Sequence, residues 1–128
     1  MSYTITRKTT GDFDAVIGRV RQALKGEGFG VLTEIDVAAT LKEKIGKDFR
    51  PYRILGACNP NLAYQALMTE ANIGVMLPCN VIVQRREDGE VEVSSIDPAT
   101  AMQTVGNPKL AAIADQVRGA LQRVIEKV

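Results

Sequence analysis

Two cysteines mark the part of this chain whose residue types could do chemistry. Cys58-Asn59-Pro60 and Pro78-Cys79-Asn80 each set a thiol beside a proline and an asparagine. Two thiolates, with a thioether such as Met76, make a donor set for a soft ion such as Cu(I). The same pair could act as a redox couple or carry a persulfide. Zinc fits less well. It wants four ligands, which here would take a second subunit or carboxylates. The amides of Asn59 and Asn80, with a helix N-terminus after Asn59, could hold a small anion. Cys58, Asn59, Cys79 and Asn80 are therefore the candidate ligand-binding residues, and no catalytic residue is assigned. The plainer account is that cysteine packs as a small buried hydrophobe and that Asn59 only caps a helix. No CxxC pair is present.

Composition narrows the chemistry further. The chain has no histidine. That removes Ser-His-Asp and Cys-His constellations and histidine metal sites. With 16 basic and 15 acidic residues the net charge is +1, which gives no footprint for nucleic acid or an anionic membrane. Only 5% of residues are aromatic, too few for a base-stacking platform. At 128 residues the chain is expected to be one domain, residues 1–128, with 45% hydrophobic residues to build its core. It contains no apolar run long enough to span a membrane. Its first residues lack an apolar signal region, so a cytoplasmic protein with reduced thiols is expected.

Other constellations have structural explanations. Gly26-Glu-Gly-Phe-Gly30 resembles a phosphate loop but ends a helix and starts a strand, the reverse of a dinucleotide fold. Glu34, Asp36 and Asp97 could supply acid–base carboxylates, yet Asp36 reads as a cap and Asp97 before Pro98 as a turn former. Lys42, Lys44, Lys47, Arg50 and Arg53 read as a solvated basic face.

The elements that must position these residues follow from periodicity. Residues 2–8 predict a strand. Phe13, Ile17, Val20 and Leu24 predict a helix from Asp12 to Glu27. Phe29 to Ile35 reads as a strand with Phe29, Val31 and Ile35 on one face. A short helix, Val37 to Ile45, follows, capped by Asp36 and closed by Gly46. Tyr52 to Cys58 is a strand, and Asn59-Pro60 starts a helix that runs to about Ala71. Asp88-Gly89 predicts a two-residue type I′ hairpin. That register sets Arg85 opposite Glu92, with Val81, Val83 and Ile96 on one face and Ile82, Val91 and Val93 on the other. A second, partly apolar sheet face would then suit a second subunit. Asn107-Pro108 opens a last helix with the stripe Leu110, Ile113, Val117, Leu121, Val124 and Val128. The stripe suits either packing on the sheet or a coiled-coil seam. The hairpin makes an α+β fold with an antiparallel sheet the expectation.

Four runs carry a resemblance: Gly28 to Asp36, Leu41-Lys-Glu-Lys-Ile-Gly46, Pro51 to Pro60 and Leu77-Pro-Cys-Asn80. In order and spacing the chain resembles, from Thr10 to Val128, the bacterial and archaeal family called "domain of unknown function 302". The resemblance implies a strand–helix–four strands–helix fold like that of the TATA-binding protein, in a homodimer with helices packed on one sheet face. It implies no activity, and DNA binding does not carry over, since the basic underside and internal repeat are missing. The expected function is a small cytoplasmic domain, a homodimer that binds a small ligand or a partner protein. The alternative is a thiol-dependent sulfur or redox protein, or a Cu(I) handler, using Cys58 and Cys79. The cofactor is left unknown.

Overall fold

In the computed structural model, which describes residues 2–128, five strands form an antiparallel sheet in the order β1-β5-β4-β3-β2. They are β1 (Thr4–Thr9), β2 (Gly30–Asp36), β3 (Tyr52–Cys58), β4 (Cys79–Arg85) and β5 (Val91–Ile96). The main helices are α1 (Phe13–Gly26), after β1, and α5 (Pro108–Glu126), which ends the chain. This is the expected strand–helix–four strands–helix frame. Shorter helices interrupt it: α2 (Val37–Ile45), α3 (Pro60–Thr69) with a 3₁₀ turn at Ala71–Met76, and α4 (Pro98–Ala101) with a 3₁₀ turn at Met102–Val105.

Helices α1 and α5 cover one sheet face. Val16, Val20 and Leu24 meet Leu121 and Val124 over Leu55, Val81, Val83, Val91 and Val93, all at 0–1% exposure. Burying each such side chain stabilises the fold by roughly 1.5–3 kcal/mol, so this layer holds the sheet to its helices. The α5 stripe packs inside the domain and does not form an exposed seam. Caps form where the residue types indicated. Asp36 accepts a hydrogen bond from the Ala39 amide (2.9 Å), and Gly46 closes α2 in the left-handed region.

Two single-residue shifts separate the structure from the sequence expectation. The first lies in β2, where a bulge between Val31 and Thr33 leaves Leu32 without a partner. An extra residue reverses the face of everything after it. Ile35 therefore does not join Phe29 and Val31. It sits opposite Ile54, 47% exposed, while Phe29 stays buried.

The second shift lies in the hairpin. The loop between β4 and β5 holds three residues, Glu87–Gly89, closed by the Arg86 amide on the Glu90 carbonyl (2.8 Å) and the Gly89 amide on the Arg86 carbonyl (2.9 Å). Type I′ needs positive φ at both central residues. Among the described residues only glycines have it, here Gly89 at +85°. Arg85 consequently faces Val91, and Gln84 faces Glu92. A one-residue slip carries every side chain of a strand to the other face. Val91 and Val93 thus join Val81 and Val83 in the core, while Ile96 is half-buried at the edge of that core and borders the open face. The open face becomes largely polar, with Thr6, Asn80, Gln84, Glu92 and Ser94 among its residues. Gly89→Ala is expected to cost about 1 kcal/mol, because an L residue is strained at this φ. A denaturant midpoint that does not move would show that the loop has another conformation.

Candidate functional site

The candidate site is built where β3 ends and β4 begins. The register pairs Ala57 with Cys79, so Cys58 and Cys79 occupy neighbouring positions on adjacent antiparallel strands. The chain makes a long detour between them, through α3 and the 3₁₀ turn Ala71–Met76. That detour returns across α5, with Ala66 and Ile73 packed on Leu110 and Ile113. An apolar cleft of about 40 Å³ remains between the strand ends, α3 and α5. Both cysteines line it, together with Phe29, Leu62, Pro78 and Met102.

Volume limits what this cleft can hold. A water needs roughly 10–15 Å³ and benzene fits a cavity of about 150 Å³. Drug-sized ligands occupy about 300–1,000 Å³. The cleft suits a few atoms and no ordinary metabolite. Its walls carry no charged side chain.

The two thiols differ in setting. Cys79 is buried and Cys58 half-buried, and both are free. Burial pushes the Cys79 thiol up to about 11, and the neighbouring Cys58 adds to the shift. At pH 7 only about one Cys79 in ten thousand would be a thiolate, four pH units below that value. An attacking thiol needs the reverse, a lowered pKa.

The amides fall in different places. Asn59 caps α3, its Oδ1 accepting from the Leu62 amide (3.2 Å), and Pro60 opens the helix. Its side chain also lies against Gly28. Capping therefore occupies its acceptor, although it lines the cleft. Asn80 is exposed and lines a separate shallow depression on the open sheet face. Cys58, Asn59 and Cys79 thus all border the cleft, but alternation sets the Cys79 side chain on the core face with Ala57 and leaves Cys58 on the open face with Asn80. Met76 packs against the Ala66–Ile113 cluster. The methionine of the cleft is Met102, which the sequence reading missed. Asp97-Pro98 was the available signal. It repeats the cap-and-proline pattern of Asn59-Pro60 and Asn107-Pro108, and it opens a helix where a turn was expected.

The other candidates resolve into structural roles. Gly28, at φ +84°, turns α1 into β2, with the Phe29 amide on the Leu24 carbonyl (2.9 Å). Glu34 pairs with Arg21 and Arg53, and Asp36 with Arg53. Asp97 caps α4 and holds the Arg118 guanidinium at 3.0 Å. Burial alone would raise its pKa, but Arg118 and the Thr100 and Ala99 amides hold the carboxyl below the usual range. β5 and β2 are three strand spacings apart, roughly 14 Å, so these carboxylates share no site. Among the described residues no group of three or more His, Cys, Asp or Glu is placed to hold a metal, and no helix is long and apolar enough to cross a membrane.

A family model, domain of unknown function DUF302, matches residues 5–128. The chain belongs to this family. A crystal structure of an uncharacterised conserved DUF302 protein from Bacillus stearothermophilus superimposes with a TM-score of 0.93 at 30% identity, over 99% of this chain and 98% of that one. No curated protein matches. The DUF302 resemblance read from the sequence is therefore correct, and so is the α+β antiparallel architecture. The family description assigns no activity.

Proposed function

We propose that this DUF302 chain is a non-catalytic binding domain of the cytoplasm that takes a compact ligand in the cleft at Cys58, Asn59 and Cys79. One observation carries the reading: Cys58, Asn59 and Cys79, brought together by the β3–β4 pairing, border one small apolar cleft. The raised pKa of Cys79 favours binding over nucleophilic catalysis. Native mass spectrometry of freshly purified protein, without reductant, tests it. The expected result is a small added mass that denaturation removes. Alkylation at neutral pH should label Cys58 and spare Cys79 until the chain unfolds. A bare chain with no added mass would sink the reading. Fast labelling of native Cys79 would favour the thiol-dependent sulfur or redox alternative.

A second reading, partner-protein binding, has its own support. Between Arg53 and Arg85 the sole charged residue is Glu70. This stretch exposes Tyr64 (65%), Leu67 (45%), Met68 (72%) and Val75 (89%) on α3 and the turn after it. Interface cores are depleted in charge and enriched in Tyr and Met. A homodimer would use this surface better than the open sheet face, which loses Val91 and Val93 to the core. On this reading light scattering gives a dimer mass, and Met68→Glu with Val75→Glu gives a monomer. A wild-type monomer at high concentration would remove the dimer.

A further inference from the structure

We propose a second ligand site, on the open sheet face around Gln84, that takes a small zwitterion of the amino-acid class, its carboxylate on Arg50 and its ammonium on Glu92. It goes beyond the cleft reading and does not depend on it, since the two linings share no residue. A shallow depression of about 460 Å³ is lined here by Tyr52 of β3, Asn80 and Gln84 of β4, and Glu92 and Ser94 of β5. Ligand clefts run from roughly 300 to 1,000 Å³, so this one has room for a small metabolite. Gln84 and Ser94 are polar, yet each is only 5% exposed. A buried amide costs free energy unless its hydrogen bonds are made. Gln84 Oε1 accepts from Arg50 Nε at 3.0 Å, which fixes the orientation of the amide. Its Nε2 has no hydrogen-bond partner among the described residues, and a ligand in the depression would supply one.

Arg50 is pinned rather than freely solvated. Its guanidinium carbon lies 4.4 Å from the Phe49 ring centre and 5.6 Å from that of Tyr52. These cation–π contacts and the Nε bond hold the group. Its two terminal nitrogens pair with no described residue. A free guanidinium fork matches a carboxylate through two parallel hydrogen bonds. Arg50 reaches Gln84 from the β3 side, and the β4–β5 register sets Glu92 directly opposite Gln84 on the other. The Glu92 side chain is 15% exposed, and its neighbours are distant: Arg86 Nε at 3.8 Å and Ser94 Oγ at 3.5 Å. A carboxylate oxygen only accepts, so the ligand must present a donor there, and an ammonium also offsets the negative charge. An anion alone would meet Glu92, and a cation alone would meet Arg50. A molecule with both charges answers both.

The test is isothermal titration calorimetry of the whole chain with four probes. L-serine and 4-aminobutyrate carry both charges at different separations, while lactate and ethanolamine carry one each. The expected result is one zwitterion per chain with a Kd on the order of 0.1–1 mM, about tenfold tighter than either single-charge probe. Arg50→Lys keeps the charge and loses the fork, and should weaken binding about tenfold. Glu92→Gln keeps the shape, and should weaken the zwitterion about tenfold while leaving lactate no weaker. Arg50 is exposed and Glu92 makes only long contacts, so both variants should melt near wild type. Binding by neither zwitterion overturns the site. Unchanged affinity in Arg50→Lys removes the carboxylate anchor, and lactate binding as tightly as the zwitterions removes the ammonium position. Cys79→Ala should leave this affinity unchanged, and a loss there would move the ligand to the cleft and overturn the second site.

Discussion

Gly56→Ala should be among the most damaging single-methyl changes in this chain. A Cβ at Gly56 would clash with Thr33 Oγ1 and lie 2.8 Å from Pro78 Cγ. Both contacts are inside van der Waals separation. Thr33 belongs to β2, and Pro78 leads directly into β4, so the methyl would press on both strands that flank β3. Thr33 could change rotamer, but the Pro78 ring has no comparable freedom. Overpacking of this kind costs about 3 kcal/mol. For a domain of this size that lowers the melting temperature by roughly 10 °C. Adding Thr33→Ala should restore part of the loss by removing the nearer clash, while the Pro78 contact persists. Pro78 also lines the cleft, so Gly56→Ala should weaken ligand retention as well. A variant that melts with wild type would mean that the strands do not close over Gly56 in this way.

Gly56 also shows what a sequence reading can and cannot reach. Local devices were legible because their physics is local. Asp36 and Gly46 bound α2 at the expected residues, and Asn59-Pro60 and Asn107-Pro108 open helices as cap and first-turn proline. The order of elements followed from hydrophobic periods. Parity did not. Val91 and Val93 alternate equally well in a two-residue or a three-residue loop, and only the choice of face differs. The three-residue loop gathers Val81, Val83, Val91 and Val93 on the side that α1 and α5 cover, and no local signal encodes that gain. The Leu32 bulge is a second case, invisible in a run of residues that alternates acceptably. The site depended on pairing too. Cys58 and Cys79 become neighbours only because β3 and β4 align Ala57 with Cys79. Met102 arrives from a turn with no periodic signature, so the lining of the cleft could not be completed from spacing.

Alkaline destabilisation should trace directly to Cys79. Its thiol rises from an ordinary 9.0 to about 11 in the folded chain, chiefly through burial. Folding therefore favours the neutral thiol, and the unfolded chain loses its proton first as pH rises. The contribution is complete below about pH 9, declines between pH 9 and 11, and is lost above the folded value. Two pH units at about 1.4 kcal/mol each give a loss of roughly 3 kcal/mol across that window. Tyrosine and lysine titrate in the same range, but they do so equally in a Cys79→Ala variant, which keeps a small apolar group in the core. Urea midpoints measured for both proteins from pH 8 to 11 should converge as pH rises, with the wild type falling more steeply. Parallel slopes would place Cys79 in water, and would remove the apolar cleft on which the binding reading depends.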